Sequence, residues 1–364
     1  MATTFQQVPL WSQVEFVADK APARDFRVSL EDIESGTGHL IAGELANYDA
    51  DGIPFEQGDI LFGKLRPYLA KFYHAPQPGT AGGDIHVYRP LPHAHPRFIY
   101  YVVSSGSFVG HASVSTTGVK MPRTDWAALR RFPVPLPPRD TQRAIADYLD
   151  RETSEIDAML DKLNGLGRLL EERRHNEIAL RVSDQEGRFP RVAVQTLGQI
   201  NSGDVIPADR ISEEGTYPVY GGNGLRGYTE DSNQTEPKLL IGRQGALCGN
   251  VHLAEGQYWA SEHAMVVTPN IEFRPRWLLY VLQNEKLGQL STAAAQPGIT
   301  ATAVGLQKIP FPPLVEQERI ARHLDETTAR IDAMLAKTQE LKDLLTERRS
   351  ALITAAVTGQ IEVH

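Results

Sequence analysis

The chain has 364 residues, of which 41% are hydrophobic, with a formal net charge of -8 and a single cysteine. This length can bury more than one core, so we expect two or more domains, and one cysteine excludes an intrachain disulfide framework and a multi-cysteine zinc site. No apolar run reaches the roughly 20 residues of a bilayer span, and the N-terminus lacks a signal-peptide pattern, which predicts a cytoplasmic protein. The acidity disfavours indiscriminate coating of nucleic acid but is compatible with a local basic surface.

In chain order, the patterns predict a domain, a long helix, a second domain and a second long helix, over residues 1–138, 139–186, 187–312 and 313–364. The first domain offers the strands "DILFG" and "DIHVYRP" before the helical "RFIYYVVSSGSF". The second offers "KLLIG", "GNVHL" and "AMVVTP" before the helical "RPRWLLYVLQNEKL". Both domains are therefore predicted to be mixed α/β.

An internal repeat relates the two halves of the chain. The segment "VPLPPRDTQRAIADYLDRETSEIDAMLDK" aligns without a gap to "IPFPPLVEQERIARHLDETTARIDAMLAK", so that Ile156 matches Ile331, an offset of 175 (331 minus 156). A fainter repeat pairs Lys64 with Arg243, an offset of 179 (243 minus 64). Two similar domains on two similar helices form a pseudo-twofold object if the helices run antiparallel.

Each long repeat predicts one helix, which follows a proline cluster; Asp140 is a plausible N-cap of the first. At about 1.5 Å per residue, a helix of roughly 40 residues is longer than a compact domain needs and requires a partner helix. Apolar residues at three- and four-residue steps predict a seam along one face of each helix, where the helices of the pseudo-twofold object would pair as an antiparallel coiled coil. The predicted seam residues are Ile145, Leu149, Ile156 and Leu160 of the first helix and Ile320, Leu324, Ile331 and Leu335 of the second.

The stretch "YGGNGLRGYTE" has the G-x-G-x-x-G spacing of a dinucleotide site. Such a site needs a helix directly after the glycines, and the polar "YTEDSNQTEP" does not predict one. We therefore expect an exposed loop that displays Asn223, Arg226 and Tyr228. His93 and His95 lack a third metal ligand nearby and are expected in a solvated loop, Cys248 is expected to be a buried thiol, and no familiar catalytic motif occurs.

The remaining polar residues suit recognition of DNA. Arginine and glutamine can hydrogen-bond guanine and adenine edges, lysine can neutralise phosphates, and glycine allows close approach. The candidate DNA-binding residues are Lys64, Arg66, Tyr68, Lys71, Lys120 and Arg123 in the first domain, and Asn223, Arg226, Tyr228, Arg243, Gln244 and Gln296 in the second.

The whole chain resembles the specificity subunit of a type I restriction-modification enzyme. The resemblance rests on "VPLPPRDTQRAIADYLD" and "IPFPPLVEQERIARHLD", on "IDAML" in both helices, and on "YPVYGGNGLRGYT" and "LLIGRQGALCGNV". It implies two target-recognition domains that each read one half of a bipartite site in double-stranded DNA, with the helices as a spacer. It also implies two methyltransferase subunits, which bind S-adenosylmethionine, and two restriction (translocase) subunits as partners. This chain itself would have no cofactor, metal or catalytic residue.

Two other classes of protein stay open at the level of the residues. One is an enzyme with an unrecognised DNA-modifying or nuclease site, which methyl transfer or nicking by the purified chain would favour. The other is a coiled-coil scaffold that binds only protein. Absence of DNA affinity in the full complex at any salt concentration would favour the scaffold.

Overall fold

A computed structural model describes residues 5–41, 51–291 and 297–363. The chain forms two units, of which unit 1 contains residues 1–165 and 338–364 and unit 2 contains residues 166–337. Each long helix contributes one part to each unit.

Unit 1 is mixed α/β. Its strands are β1 (Gln7–Pro9), β2 (Val14–Val17), β3 (Arg27–Val28), β4 (Ile53–Phe55), β5 (Ile60–Gly63), β6 (Phe72–His74), β7 (Gly79–Ala81), β8 (Ile85–Pro90) and β9 (Pro133–Pro135). Its short helices are α1 (Pro96–Ser104), α2 (Gly106–Val114) and α3 (Trp126–Leu129). The main sheet is antiparallel with the order β2-β8-β5-β6, a smaller sheet has the order β3-β7-β4, and β1 pairs with β9.

The first long helix, α4 (Arg139–Val182), leads into unit 2. The strands of unit 2 are β10 (Arg191–Ala193), β11 (Gly198–Ser202), β12 (Tyr217–Gly221), β13 (Gly224–Thr229), β14 (Lys238–Gly242), β15 (Val251–Ala254), β16 (Trp259–Ala260), β17 (Ala264–Pro269) and β18 (Lys308–Pro310). The helices are α5 (Val194–Leu197), α6 (Pro275–Asn284), α7 (Ala301–Gly305) and the long α8 (Leu314–Thr358).

Unit 2 repeats the architecture of unit 1. Its antiparallel sheet has the order β11-β17-β14-β15, a smaller sheet has the order β13-β12-β16, and β10 pairs with β18. The strands and the helix predicted in each domain are present, but "RFIYYVVSSGSF" forms two helices because Ser105, in extended backbone, caps α2. The fold class predicted from the sequence is confirmed.

The same polar contacts attach α1 and α6 to the long helices. In unit 1, the Tyr101 hydroxyl donates to Asp150 Oδ1 at 2.6 Å and lies 3.2 Å from Thr153 Oγ1. In unit 2, the Tyr280 hydroxyl donates to Asp325 Oδ1 at 2.7 Å and lies 3.2 Å from Thr328 Oγ1. The matching Arg97 and Arg276 pair with the same two carboxylates.

A buried glutamine attaches the start of each long helix. Gln142 Oε1 accepts from the backbone N–H of His95 at 2.8 Å, while its amide donates to the Pro137 carbonyl at 3.0 Å. Gln317 makes the equivalent bonds with Arg274 and Pro312, both at 2.9 Å. These bonds satisfy backbone groups that would otherwise be costly to bury.

Within each unit, the parts of α4 and α8 run antiparallel. In unit 2, Arg174 pairs with Asp332 and Glu177 lies 4.0 Å from His323, so partner numbers fall as numbers on α4 rise. In unit 1, Arg349 pairs with Asp157, while Leu149 shares a core with Ile353 further along α8.

The predicted seam residues differ in burial. Ile145 and Leu149 belong to the core of unit 1, and Ile320 and Leu324 to that of unit 2, so these four pack against the domains as well as against the opposite helix. Ile156 and Ile331 are also buried, whereas Leu160 and Leu335 are only partly buried. Both ends of each long helix belong to domain cores, whereas Leu160 and Leu335 lie between these ends and lack the burial that the domains add.

The ends of the long helices also correct the prediction. Asp140 lies inside the first turn of α4 and is not its N-cap. α4 ends at Val182, before the predicted residue 186, and Asp184 there adopts φ 44°. α8 ends at Thr358, because Gly359 takes φ 76° and the next amide bonds back to the carbonyl of Ala355. No helix of the described residues is long and apolar enough to cross a membrane.

Candidate nucleic-acid interface

Lys64 and Arg243 directly follow β5 and β14, and each makes the same pair of backbone hydrogen bonds, which we call its backbone frame. The Lys64 N–H donates to the Asp84 carbonyl at 2.9 Å, and its carbonyl accepts from Thr124 at 3.0 Å. Arg243 makes the same pair of bonds, with His263 at 2.9 Å and Ile299 at 2.9 Å. The two units therefore present different side chains on one backbone arrangement.

The loop after each frame is also alike. Arg66 adopts φ 49° and its repeat equivalent Gly245 adopts φ 95°, while Ala70 adopts φ 49° and its equivalent Gly249 adopts φ 88°. A non-glycine residue in this left-handed region costs on the order of 1–2 kcal/mol. Unit 1 holds two such residues where unit 2 has glycine, which indicates that the loop path is fixed by its surroundings.

In unit 1, most of the predicted binding residues gather around this frame. The N–H of the exposed Arg66 donates to the Pro122 carbonyl at 2.8 Å, which brings it beside Arg123. Arg123 pairs with Asp84 at 3.0 Å and is half-exposed. Tyr68 and Lys120 are exposed, and Lys64 is partly buried.

Lys71 has a different environment. Its ammonium donates to the Leu30 carbonyl at 2.8 Å, so it holds the segment after β3 against the strand pair β5 and β6. This bond would compete with a contact to a phosphate.

In unit 2, "YGGNGLRGYTE" forms a β-hairpin and not the predicted loop. β12 and β13 pair with a register shift at Val219 and Tyr220, and Gly222 and Asn223 form the two-residue turn. Arg226 and Tyr228 lie on β13, exposed and partly buried respectively. The expectation that no helix follows the glycines is confirmed, because the next regular element is β14.

Other candidate DNA-binding residues of unit 2 lie close to the turn at Gly222 and Asn223. Arg243 Nη1 donates to Ser202 Oγ at 3.0 Å, and the exposed Gln244 forms a backbone bridge to Gly298. A Cβ added to Gly222 would lie 2.8 Å from the Gln244 carbonyl oxygen, so the turn touches the backbone that carries Arg243. Gln296 lies outside the described residues.

Several of the candidate DNA-binding cations lack a carboxylate partner. In the part of the chain that the structure describes, Lys64, Arg66, Lys120, Arg226 and Arg243 have no ion pair within 4.0 Å. Unpaired cations on an exposed surface of an acidic chain suit the binding of an anionic polymer.

The sequence patterns did not identify three residues that contact the candidate DNA-binding side chains. Ser202 bonds Arg243, Asn250 bonds Asn223, and Asp84 pairs with Arg123. The repeat offset of 179 (263 minus 84) would have pointed to Asp84 and His263 as partners of the matched frames. Nothing in the local pattern identifies Asn250 or Ser202, because each meets its partner only through the sheet.

The cysteine and the two histidines that the sequence singled out are accounted for by contacts within the fold. Cys248 is a buried free thiol, as predicted. His93 Nε2 lies 2.9 Å from the Ser12 carbonyl, and burial lowers the pKa of His95, whose neighbours also include Asp147. Among residues 5–41, 51–291 and 297–363, no group of three or more histidine, cysteine, aspartate or glutamate side chains could hold a metal ion.

The fold defines a class of protein in which two copies of one α/β domain each attach to a long helix. The family model described as the type I restriction modification DNA specificity domain matches residues 33–166 and 191–343, more than half of the chain. The chain belongs to the type I restriction-modification specificity family.

Individual relatives agree. The chain is 33% identical over 230 residues to the type I restriction enzyme EcoprrI specificity subunit of Escherichia coli, which covers 58% of this chain and 56% of the relative. It is 40% identical over 169 residues to the EcoBI specificity subunit of Escherichia coli, covering 44% of this chain and 34% of the relative. The alignments thus span about half or less of the curated relatives.

Solved structures show the same fold. A chain from a study of assembly and conformational transition of the type I restriction-modification system has a TM-score of 0.71 and 20% identity, with 98% of each chain covered. The HsdS subunit of Thermoanaerobacter tengcongensis has a TM-score of 0.53 and 20% identity, with 98% of this chain and 97% of that chain covered.

Proposed function

We propose that this chain binds double-stranded DNA and reads a bipartite target, with one half-site for each unit. The matched frames of Lys64 and Arg243 carry the proposal, since their backbone bonds agree while the side chains around them differ. Equal frames would approach DNA in the same manner, and unlike side chains would select unlike bases. The helices would then fix the length of an unread gap, as the distance between the two reading domains fixes half-site separation in other DNA-binding proteins.

Assembly with two methyltransferase subunits is part of this proposal. Exposed apolar residues recur on the long helices with an offset of 175 (334 minus 159): Met159 with Met334, Leu166 with Leu341, and Leu169 with Leu344. Unit 1 contains Met159, Leu341 and Leu344, and unit 2 contains the other three. Exposed apolar residues repeated in this way suit two identical partners.

Catalysis would reside in those partners. The methyltransferase subunits would bind S-adenosylmethionine and methylate adenine, and two restriction subunits would add translocation and cleavage. This chain would supply recognition and scaffolding without a cofactor, in the cytoplasm where the DNA lies.

Mapping of methylated adenine in genomic DNA, with and without this chain, tests the function. We expect methylation at two unlike half-sites separated by a fixed gap, and its loss when the chain is deleted. Replacement of residues 187–312 by the equivalent domain of a relative should change only the second half-site. A continuous target, or a change of both half-sites together, would contradict the two-reader proposal.

The docking surface has its own test. In the double variant Met159→Glu and Met334→Glu, co-purification of the methyltransferase should fall strongly, since each methionine is about half exposed, at 49% and 50%. Leu180→Glu is a matched control, because Leu180 is exposed on the same helix but its repeat equivalent is Ala355. Equal loss in the control would show that this set is not the docking surface.

A further inference from the structure

The tip of the hairpin between β12 and β13 packs closely against the sheet of unit 2. Gly221 pairs with Gly224, and Gly224 takes φ 86°, where a side chain would be strained. A Cβ on Gly224 would lie 3.1 Å from the His252 ring, and one on Gly242 would overlap the Gly222 carbonyl oxygen. These contacts leave little room for a side chain at Gly224 and none at Gly242, so the turn packs closely against the sheet.

Two exposed asparagines meet at this tip. Asn250, just before β15, donates from Nδ2 to Asn223 Oδ1 at 2.6 Å. This bond leaves Asn223 both Nδ2 hydrogens and one Oδ1 lone pair, so its amide still offers a donor and an acceptor side by side. The backbone carrying Arg243 and Gln244 lies next to the turn.

We propose that Asn223 reads an adenine in the second half-site and that Asn250 is its positioning residue; this rests on the proposed function. An asparagine amide can accept from adenine N6 and donate to adenine N7, which distinguishes adenine from the other bases in the major groove. The bond from Asn250 fixes the amide plane before DNA arrives. Less rotamer entropy is then lost on binding.

Unit 1 has a different arrangement at the equivalent place. The repeat equivalent of Asn250 is Lys71, by the offset of 179 (250 minus 71), and Lys71 donates to the backbone carbonyl of Leu30. A Cβ on Gly63 would meet the Leu30 side chain, where the Cβ on Gly242 meets Gly222. Leu30 thus lies where unit 2 has Gly222, and Lys71 replaces Asn250, so a reading amide positioned by an asparagine is confined to the second half-site.

Variants of the full complex with its methyltransferase test the proposal by methylated-adenine mapping. In Asn223→Ala, preference for adenine at one position of the second half-site should fall about tenfold or more. In Asn250→Ala, the same position should relax by a smaller factor, about three- to tenfold, because the reading amide remains but is less well oriented. Asn250→Gln, which keeps the donor, should restore part of the preference.

The double variant separates positioning from independent reading. It should be no worse than Asn223→Ala alone, since Asn250 acts through Asn223. Asn270→Ala, at another exposed asparagine of unit 2, is the matched control and should leave the target unchanged.

Several outcomes would overturn the proposal. Additive losses in the double variant would make Asn250 an independent contact, and an even loss of methylation at all sites would make Asn223 non-specific. If the unmodified complex showed a bipartite motif that neither variant altered, the proposal would fail while the proposed function stood. Absence of any bipartite motif from the unmodified complex would instead refute the proposed function itself.

Discussion

Arg349 of α8 binds Asp157 of α4 in unit 1, with Nε donating to Oδ1 at 2.9 Å. In unit 2, the repeat equivalents exchange roles: Arg174 of α4 lies 3.3 Å from Asp332 of α8, and both residue numbers differ by 175 (349 minus 174, 332 minus 157). Antiparallel packing of two copies of one helix produces this exchange. The repeat therefore extends from sequence to individual ion pairs.

The two pairs should differ in energy. Arg349 is 6% exposed and also donates to the carbonyls of Gly36 and Thr37, whereas the Arg174 and Asp332 side chains are 34% and 55% exposed. We expect Arg349→Met to cost about 2–4 kcal/mol of unfolding free energy, because a partly buried carboxylate and two carbonyls lose their partner. Arg174→Met should cost about 1 kcal/mol or less. Urea denaturation measures both, and equal costs would contradict the difference.

The tyrosines that attach α1 and α6 to the long helices should be energetically equivalent. Removal of the hydroxyl in Tyr101→Phe or Tyr280→Phe leaves Asp150 or Asp325 with one donor fewer, at about 1–2 kcal/mol each. Burial raises the pKa of Tyr280 to about 12 and raises that of Tyr101 as well, so both stay protonated donors at neutral pH. The Tyr148 hydroxyl has no hydrogen bond within the described residues, so Tyr148→Phe should be nearly neutral. Thermal unfolding of all three variants makes the comparison.

Burial decides which seam substitutions matter. Leu324 is fully buried in the core of unit 2, so Leu324→Asp should cost several kcal/mol, on the order of 3–5. Leu335 is only partly buried, and Leu335→Asp should cost roughly 1–2 kcal/mol. Chemical denaturation of the two variants compares them. A larger loss in Leu335→Asp would mean that the helix contact away from the domains dominates stability.

Acid should destabilise unit 1 through two histidines. Burial lowers the pKa of His74 and His86 to about 4, from 6.5 in the unfolded chain, with the positive charges of Arg97 and Lys64 adding to it. The folded state then binds fewer protons than the unfolded state between these values. The contribution of these two histidines to the free energy of unfolding is therefore fully present above about pH 6.5. It is lost as the pH falls toward 4, by roughly 3 kcal/mol per histidine at most.

The variant His74→Phe tests this pH dependence, since it keeps an aromatic ring beside Tyr100 and cannot take up a proton. The decline in unfolding free energy between pH 7 and pH 4.5 should be shallower than in the unmodified chain. An unchanged slope would show that His74 does not contribute to it.

Arg243 and Lys64 should affect binding differently. Arg243→Ala is expected to cost about 1–3 kcal/mol at one position of the second half-site and to spare the first. Lys64→Ala should weaken binding evenly across sequences and make the salt dependence shallower by about one charge, because a lysine neutralises phosphate. Titration of DNA at several salt concentrations measures both. An even loss in Arg243→Ala would assign that arginine to phosphate as well.

The sequence by itself determined the repeat, the mixed α/β domains, the long helices and the family. These follow from local information: strand and helix periods, proline and glycine positions, and equal spacing in two copies. The burial of Ile145 and Ile320 could also be predicted, since it follows from the apolar period. The same local information correctly placed Asn223 between strands but also placed Arg226 and Tyr228 on a loop, although they lie on β13, because hairpin pairing across a bulge depends on both strands at once.

Only the tertiary structure decided which side chains meet. The sheet places Asn250 on Asn223 and Ser202 on Arg243, across 27 and 41 residues of chain. Tertiary packing also directs the Lys71 ammonium to the carbonyl of Leu30 and leaves Leu335 only partly buried. Such contacts depend on strand order and on close backbone approach at Gly242, which one sequence does not encode in any local pattern.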